Sequence, residues 1–293
     1  MTTTYTVVDI TPDTPEWEQE RRNSIGASDV PNLLLMPGAW GTPLEVYQSK
    51  IGVDKHFDPL LGFIGHALES VMQQWLEWAH PNLGPIGPAI MARHTDTPWI
   101  HASFDRFAGD GAPIQMKSVD YFIGGDWDTN TPLHVQAQIQ TEIYVAGTDH
   151  GWAVAFIGGK RFVLYRIERD QEFIDMMLPR VKRFWVDHVQ ARKAPMPMNP
   201  GEAAWLWPSK GTPLIVSDPE QAERLWDLHG VWRDMQDEKT DLSGRIDALK
   251  LELQTAMQEC DEIRVNGKVL FSWRANKKNV RVFLRHKIAE AGK

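Results

Sequence analysis

The 293-residue chain has 42% hydrophobic and 24% charged residues, enough apolar side chain to bury a core in one or two domains. A formal net charge of −8 excludes a protein that finds nucleic acid by whole-molecule attraction, although a local basic track can still grip a polyanion. The single cysteine, Cys260, excludes an internal disulfide and a cysteine-rich zinc site, and it fits a reducing cytosol.

No apolar run is long enough to cross a bilayer, and the Thr-rich start lacks the basic and apolar regions of a signal peptide. A soluble, cytoplasmic protein with no membrane partner is the expectation.

Residues 16–36 read as a helix end, a Gly26-Ala27-Ser28 turn and a second helix capped by Ser28 or Asp29. Free amides at such a cap suit an anion, with Arg21 one segment upstream; a plain cap and a solvated arginine are the simpler alternative. A short helix is expected over 44–50 and a stronger one over 63–80. In the latter Leu68, Val71, Met72, Trp75, Leu76 and Ala79 follow the helical period and Glu69 sits beside the stripe. Glu69 reads either as a metal ligand or as an ordinary solvent-facing acid, and His66 could join the same site.

Residues 81–100 are a Pro/Gly-rich loop feeding one strand and then a second that ends in Ala102-Ser103-Phe104-Asp105. The stretch 101–117 reads as a hairpin. A strand ends in Asp105, turns through Gly109-Asp110-Gly111 and returns as an alternating strand, with Gln115 and Lys117 on one face. That brings Asp105, Gln115 and Lys117 together, or else forms a surface hairpin with solvated charges. A helix is expected over 134–145, in which Gln136, Gln138 and Gln140 are too polar for a simple core face; amides that contact both phosphate and ligand water would explain them, and a glutamine-rich exposed helix is the alternative. Strands 152–157 and 161–168 form a hairpin over Gly158-Gly159, and a helix covers 170–192. This order describes an α/β core with a mixed central sheet flanked by helices.

Residues 196–218 form a Pro-rich linker between a core of 1–195 and an extension of 219–293. The extension begins as one long helix or two, with Leu242, Ile246, Leu249, Leu253 and Met257 at spacings of three or four, the stripe of a core or a helix-pairing seam. It ends in strands about Asn266-Gly267. From Ile263 to Lys287 there are eight basic residues and no acid, so Arg274, Lys277, Lys278 and Arg281 are a candidate DNA track or a solvated face.

Five motifs occur in order: Arg21 through Val30, Gly65-His66-Ala67-Leu68-Glu69, Ala102-Ser103-Phe104-Asp105, Gln115-Met116-Lys117, and Gln138-Ile139-Gln140 leading to Val145-Ala146-Gly147. Together they resemble the YqaJ-like viral recombinase family of phage and prophage alkaline exonucleases, over roughly residues 16–190. The resemblance implies a PD-(D/E)XK nuclease core, here with a C-terminal helical and β-hairpin extension. It implies Mg²⁺ dependence, with Mn²⁺ a substitute, and processive 5′-to-3′ digestion of one strand of duplex DNA. It further implies a ring-shaped homotrimer on double-stranded DNA ends, a single-strand annealing protein as partner, and a phage or prophage gene expressed in a bacterial host.

By position, the resemblance makes Glu69 and Asp105 metal ligands, with position 115 and the carbonyl of Met116 completing the set. Lys117 would orient or activate the attacking water, and Arg21, Ser28, Ser103 and Gln138 would bind the 5′ phosphate. Such chemistry needs anionic oxygen ligands for hard cations and a lysine that adds positive charge without competing for them.

The chain departs from the pattern twice. Asp105 is followed by Arg106 rather than glycine, which is expected to be tolerated. The Glu-X-Lys position holds Gln115, a neutral oxygen where an anion belongs, so weak metal binding and a rate lower by orders of magnitude are expected. A change that keeps shape and removes charge is the one an experimenter makes to trap uncut DNA, and an engineered impaired form is preferred here over natural divergence. The alternatives are a naturally inactive DNA-end clamp, or an endonuclease of the same core, against which the Arg21 and Ser28 end pocket argues.

Overall fold

The computed structural model describes residues 4–11, 14–53 and 59–286, and the chain divides into two units, 1–209 and 210–293. In the first unit β1 (Tyr5–Val8) precedes α1 (Pro15–Arg22), β2 (Ile25–Gly26), a 3₁₀ turn at Ala27–Asp29 and α2 (Val30–Leu33). Next come α3 (Pro43–Lys50), α4 (Pro59–Ala79), β3 (Ile90–His94), β4 (Ile100–Phe104), β5 (Arg106–Phe107) and β6 (Pro113–Val119). The unit closes with α5 (Leu133–Ala146), β7 (His150–Ile157), β8 (Arg161–Glu168), α6 (Gln171–Phe184) with a π-helical continuation to Gln190, and α7 (Pro200–Leu206), which lies inside the proline-rich stretch.

Local chemistry accounts for the boundaries. The Thr42 side chain and Glu45 form a reciprocal capping box at the start of α3, and the Asp170 carboxylate accepts the Phe173 N–H to start α6. Gly158 and Gly159 both have positive φ in the three-residue turn, 158–160, that joins β7 to β8.

Two four-stranded mixed sheets result. The first has the order β1-β3-β4-β2, parallel only between β4 and β2; the second has β5-β6-β7-β8, parallel only between β6 and β7. Helix α5 packs against β4, β6 and β7, and Ile139 and Ile143 are fully buried in the cluster it shares with Trp127, Ala153 and Ile157. On another face Met72 and Leu76 of α4 pack on Ile114, Met116 and Val154.

The chain changes sheet at Asp105, and here the hairpin expected over 101–117 is corrected. Strand β4 pairs with β3 in the first sheet, and only the two residues of β5 pair with β6. Nor does β6 alternate: its first four residues are all buried, because β7 covers one edge and helices cover its faces.

In the second unit α8 (Pro219–Met257) is one unbroken helix, followed by the antiparallel meander β9 (Glu262–Val265), β10 (Lys268–Ala275) and β11 (Arg281–Arg285). Asn266 and Gly267 both have positive φ at the first turn. Among the described residues no helix is long and apolar enough to cross a membrane.

Candidate functional site

The jump between sheets turns Asp105 back onto β6. Its Oδ2 accepts the Met116 backbone N–H at 2.7 Å and the Gln115 side-chain N–H at 2.5 Å. Burial pushes the Asp105 carboxyl above its usual range, while the nearby Lys117 charge and the Met116 N–H pull the other way.

From Gln115 the network runs into α5. Gln138 Nε2 donates to Gln115 Oε1 at 2.6 Å and to Glu142 Oε1 at 2.9 Å, while Gln138 Oε1 accepts from Lys117 Nζ at 3.0 Å. Every amide atom in this chain of bonds is matched donor to acceptor, which is what makes a buried polar cluster affordable. Burial depresses Lys117, against the opposing pull of Asp105, Glu142 and Glu69.

Sequence reasoning missed Glu142. It is 1% exposed, and burial first, then the Asp105 charge, push its carboxyl up to about 8. The available signal was its position one helical turn after Gln138, where two polar side chains share a face. Trp40 was missed as well. Its ring centroid lies 5.2 Å from Lys117 Nζ and 4.7 Å from the His134 ring, a cation–π contact across elements far apart in sequence.

The other two glutamines of α5 take no part in the site, which corrects their reading as phosphate or water contacts. Gln140 donates to the Glu168 carbonyl and accepts the Asp170 N–H, and Gln136 donates to the Thr131 carbonyl. They satisfy backbone groups at strand and loop ends, which buried polar side chains must do somewhere.

Glu69, on α4, reaches the same region through Arg106. The Arg106 guanidinium lies 3.5 Å from Glu69 Oε2, bonds the Asp105 carbonyl at 2.5 Å and donates to Gln73 Oε1 at 2.7 Å. The donors expected to hold a divalent ion are therefore already occupied by protein hydrogens. Gln115 presents nitrogen, a donor, to Asp105, and a guanidinium sits on Glu69. Among the described residues no three His, Cys, Asp or Glu side chains converge on a point suited to a metal. As folded, with glutamine at 115, this set does not fit a hard dication.

The residues assigned to the 5′ phosphate do come together. Arg21 of α1, Ser28 of the 3₁₀ turn, Ser103 of β4 and Gln138 of α5 line one cavity of about 190 Å³ that also receives Asp105 and Gln115. The Ser103 hydroxyl is covered and has no protein partner there. Gly26 forms part of the wall, and a Cβ on it would lie 3.0 Å from His101 Nε2, so a side chain there would require the buried His101 ring to shift.

Beneath the cavity lies a buried support. Asp29 Oδ2 pairs with Lys50 Nζ at 2.6 Å and accepts the Gly26 N–H at 2.8 Å, and Lys50 also donates to the Arg21 carbonyl at 2.9 Å. This corrects the expected cap, since neither Ser28 nor Asp29 makes a side-chain bond into α2, itself only four residues long. Asp29 instead ties the turn to α3. His101 stands on the same support, with Nδ1 2.8 Å from Ser24 Oγ, and burial holds its ring down at about 3, the Lys50 charge adding to the effect.

In the second unit two of the four basic track residues are engaged locally. Arg281 donates to the carbonyls of Trp273, Gln258 and Cys260 and lies 3.8 Å over the Trp273 ring. Arg274 pairs with Glu262 at 2.6 Å, and Arg264 bonds the same carboxylate. Lys277 and Lys278 are exposed in the turn between β10 and β11, and Lys287 lies outside the described residues.

No protein-family model matches the chain. Over 186 residues it is 31% identical to the uncharacterized protein YqaJ of Bacillus subtilis (strain 168), covering 61% of this chain and 58% of that protein. The chain thus spans less than two thirds of the curated relative's length. The crystal structure of an alkaline exonuclease, LHK-Exo, from Laribacter hongkongensis superposes with a TM-score of 0.52 at 20% identity, covering 61% of this chain and 94% of that one. The structure of LHK-Exo in complex with dAMP gives a TM-score of 0.53 at 18% identity over the same shares. The mixed α/β fold of the core is similar to that of this solved alkaline exonuclease, and the likeness to YqaJ agrees with the resemblance carried by the five motifs.

Proposed function

We propose that this relative of YqaJ is a phage-type exonuclease acting 5′-to-3′ on double-stranded DNA ends, with an intact phosphate pocket and a strand-cleaving step suppressed by Gln115. The observation that carries the reading is the cavity joining Arg21, Ser28, Ser103 and Gln138 to the Asp105–Gln115 pair. A guanidinium, two hydroxyls and an amide are the donors a terminal phosphate accepts from, and the Ser103 hydroxyl has no protein partner. A neighbour of the same fold binds dAMP, a product-like mononucleotide. An internal cut needs no pocket for a chain end, so the pocket favours an exonuclease over an endonuclease.

Within this reading Arg21 and the serines hold the 5′ end, Gln138 links that end to Lys117, and Lys117 places positive charge beside Asp105. Magnesium dependence belongs to the form with glutamate at 115. The ring-shaped homotrimer, the annealing partner, the role in recombination and a bacterial cytoplasmic setting are parts of the same proposal and rest on the family resemblance.

A second reading, a naturally inactive DNA-end clamp, is favoured by the protein donors that cover Asp105 and Glu69. One experiment separates the two. Linear duplex with a 5′ phosphate is incubated with the chain and with Gln115→Glu, each with Mg²⁺. Mononucleotide release by Gln115→Glu supports the exonuclease; tight end binding without release by either form supports the clamp; no end binding by either form overturns both.

A further inference from the structure

Helix α8 carries an apolar seam that no described residue of its own unit covers. From Leu225 through Trp232, Met235, Leu242, Ile246 and Leu249, seam positions recur every third and then fourth residue, with Lys239 as the single interruption. Trp232, Met235 and Ile246 are 63%, 64% and 55% exposed, and Gly230 and Gly244 fall on the opposite face. An alternation of three and four is the pattern of a two-stranded coiled coil, and Val231, beside the seam, widens it.

We infer that α8 pairs with α8 of a second copy of this chain, antiparallel and centred between Lys239 and Leu242. The charges flanking the seam select both partner and direction. In a parallel pair Lys239 would face its own copy inside the seam, and Arg245 would meet Lys250 of the second copy, both repulsive. In the antiparallel pair Lys239 lies against Leu242 of the second copy, and Glu238 meets Arg245 of the second copy once on each side of the two-fold axis. Among the described residues of its own chain Arg245 has a loose pairing with Asp241, at 3.8 Å with both side chains exposed, which does not compete.

The size is adequate. Centred between Lys239 and Leu242, residues 224–257 of the two helices overlap over about 51 Å, and a contact strip about 10 Å wide on each copy amounts to roughly 1,000 Å² in total, the size at which a specific interface begins. The pairing is a two-fold step added to whatever assembly the first unit forms, and it does not depend on the nuclease reading.

Sedimentation equilibrium on the full chain tests it through a charge swap, with circular dichroism confirming that each variant keeps its helix. Glu238→Arg and Arg245→Glu should each weaken the two-fold step, on the order of tenfold in the dissociation constant. An equimolar mixture of the two variants, or the double variant, should restore it, since every flanking pair is then again of opposite charge. A parent chain with no two-fold step, single variants that associate like the parent, or a mixture no tighter than its components would each overturn the inference. So would protection of the seam only when a different protein is added.

Discussion

Gln115 donates its side-chain N–H to Asp105 at 2.5 Å, and its carbonyl accepts from Gln138 at 2.6 Å, so the amide is oriented with its hydrogen-bearing end toward the acid. A carboxylate at 115 could accept from Gln138 in the same way but would face Asp105 oxygen to oxygen. Only a proton or a cation between them could hold that arrangement. Gln115→Glu should therefore lower the melting temperature of the metal-free protein and make it rise with added Mg²⁺, while the parent chain stays indifferent to the ion. Digestion of linear duplex should gain about 10²–10³-fold, the scale of one catalytic electrostatic contact. A variant as indifferent to Mg²⁺ as the parent would remove Gln115 as the block.

Arg106 is expected to matter in the same experiment, because its guanidinium occupies Glu69. Arg106→Gly alone should change digestion little; combined with Gln115→Glu it should exceed the single variant. Single-turnover rates on one duplex at fixed Mg²⁺ decide it, and a double variant slower than Gln115→Glu would show that the arginine assists rather than obstructs.

Arg21→Ala should weaken binding of a 5′-phosphorylated end by about tenfold to a hundredfold, the loss of one charge-assisted contact, and leave a 5′-hydroxyl end unaffected. Fluorescence anisotropy with the two duplexes reads this directly. An equal loss for both ends would mean that Arg21 serves the fold, through its contact 4.5 Å over Trp17, and not the phosphate.

Glu142 stores a pH dependence. Its folded value of about 8 lies above the ordinary 4.5, so the folded protein keeps a proton that the unfolded chain releases. Stability from this residue is complete below 4.5 and drains away as pH rises through 8. Glu142→Gln can keep the bond from Gln138 and has no proton to lose. It should be more stable than the parent by a few kcal/mol at pH 9 and indistinguishable at pH 4, by urea midpoints. A parallel decline of both proteins with pH would refute this.

His101 works in the other direction. Its ring is held neutral down to about 3 against an ordinary 6.5, so the unfolded chain binds a proton that the folded state refuses. The contribution is complete above 6.5 and is lost as pH falls toward 3. His101→Asn should cost stability at pH 7 through its lost contact with Ser24, yet flatten the acid limb between pH 6 and 4. An unchanged slope would place the acid sensitivity elsewhere.

Most of the helices and strands could be read from residue order because their signals are local. The apolar stripe of α4, the Gly158-Gly159 and Asn266-Gly267 turns and the Asp170 cap each act within one element. The hairpin expected over 101–117 reduces to β5 and β6 for the converse reason. Whether β4 and β6 pair depends on which sheet each joins, and that choice is made by β3 and β7, far away in the chain. The Asp29 cap failed likewise, because Lys50 offered the carboxylate a buried cation that no local pattern reveals.

Residue types and their order determined which side chains were candidates, since chemistry restricts phosphate and metal contacts to a few kinds of group. The tertiary structure decided how they are used. It set Glu142 beneath Gln138, put Arg106 on Glu69 and turned the Gln115 amide toward Asp105. Those outcomes are settled by desolvation and by which donor meets which acceptor once water is gone, quantities that exist only after distant segments have packed together.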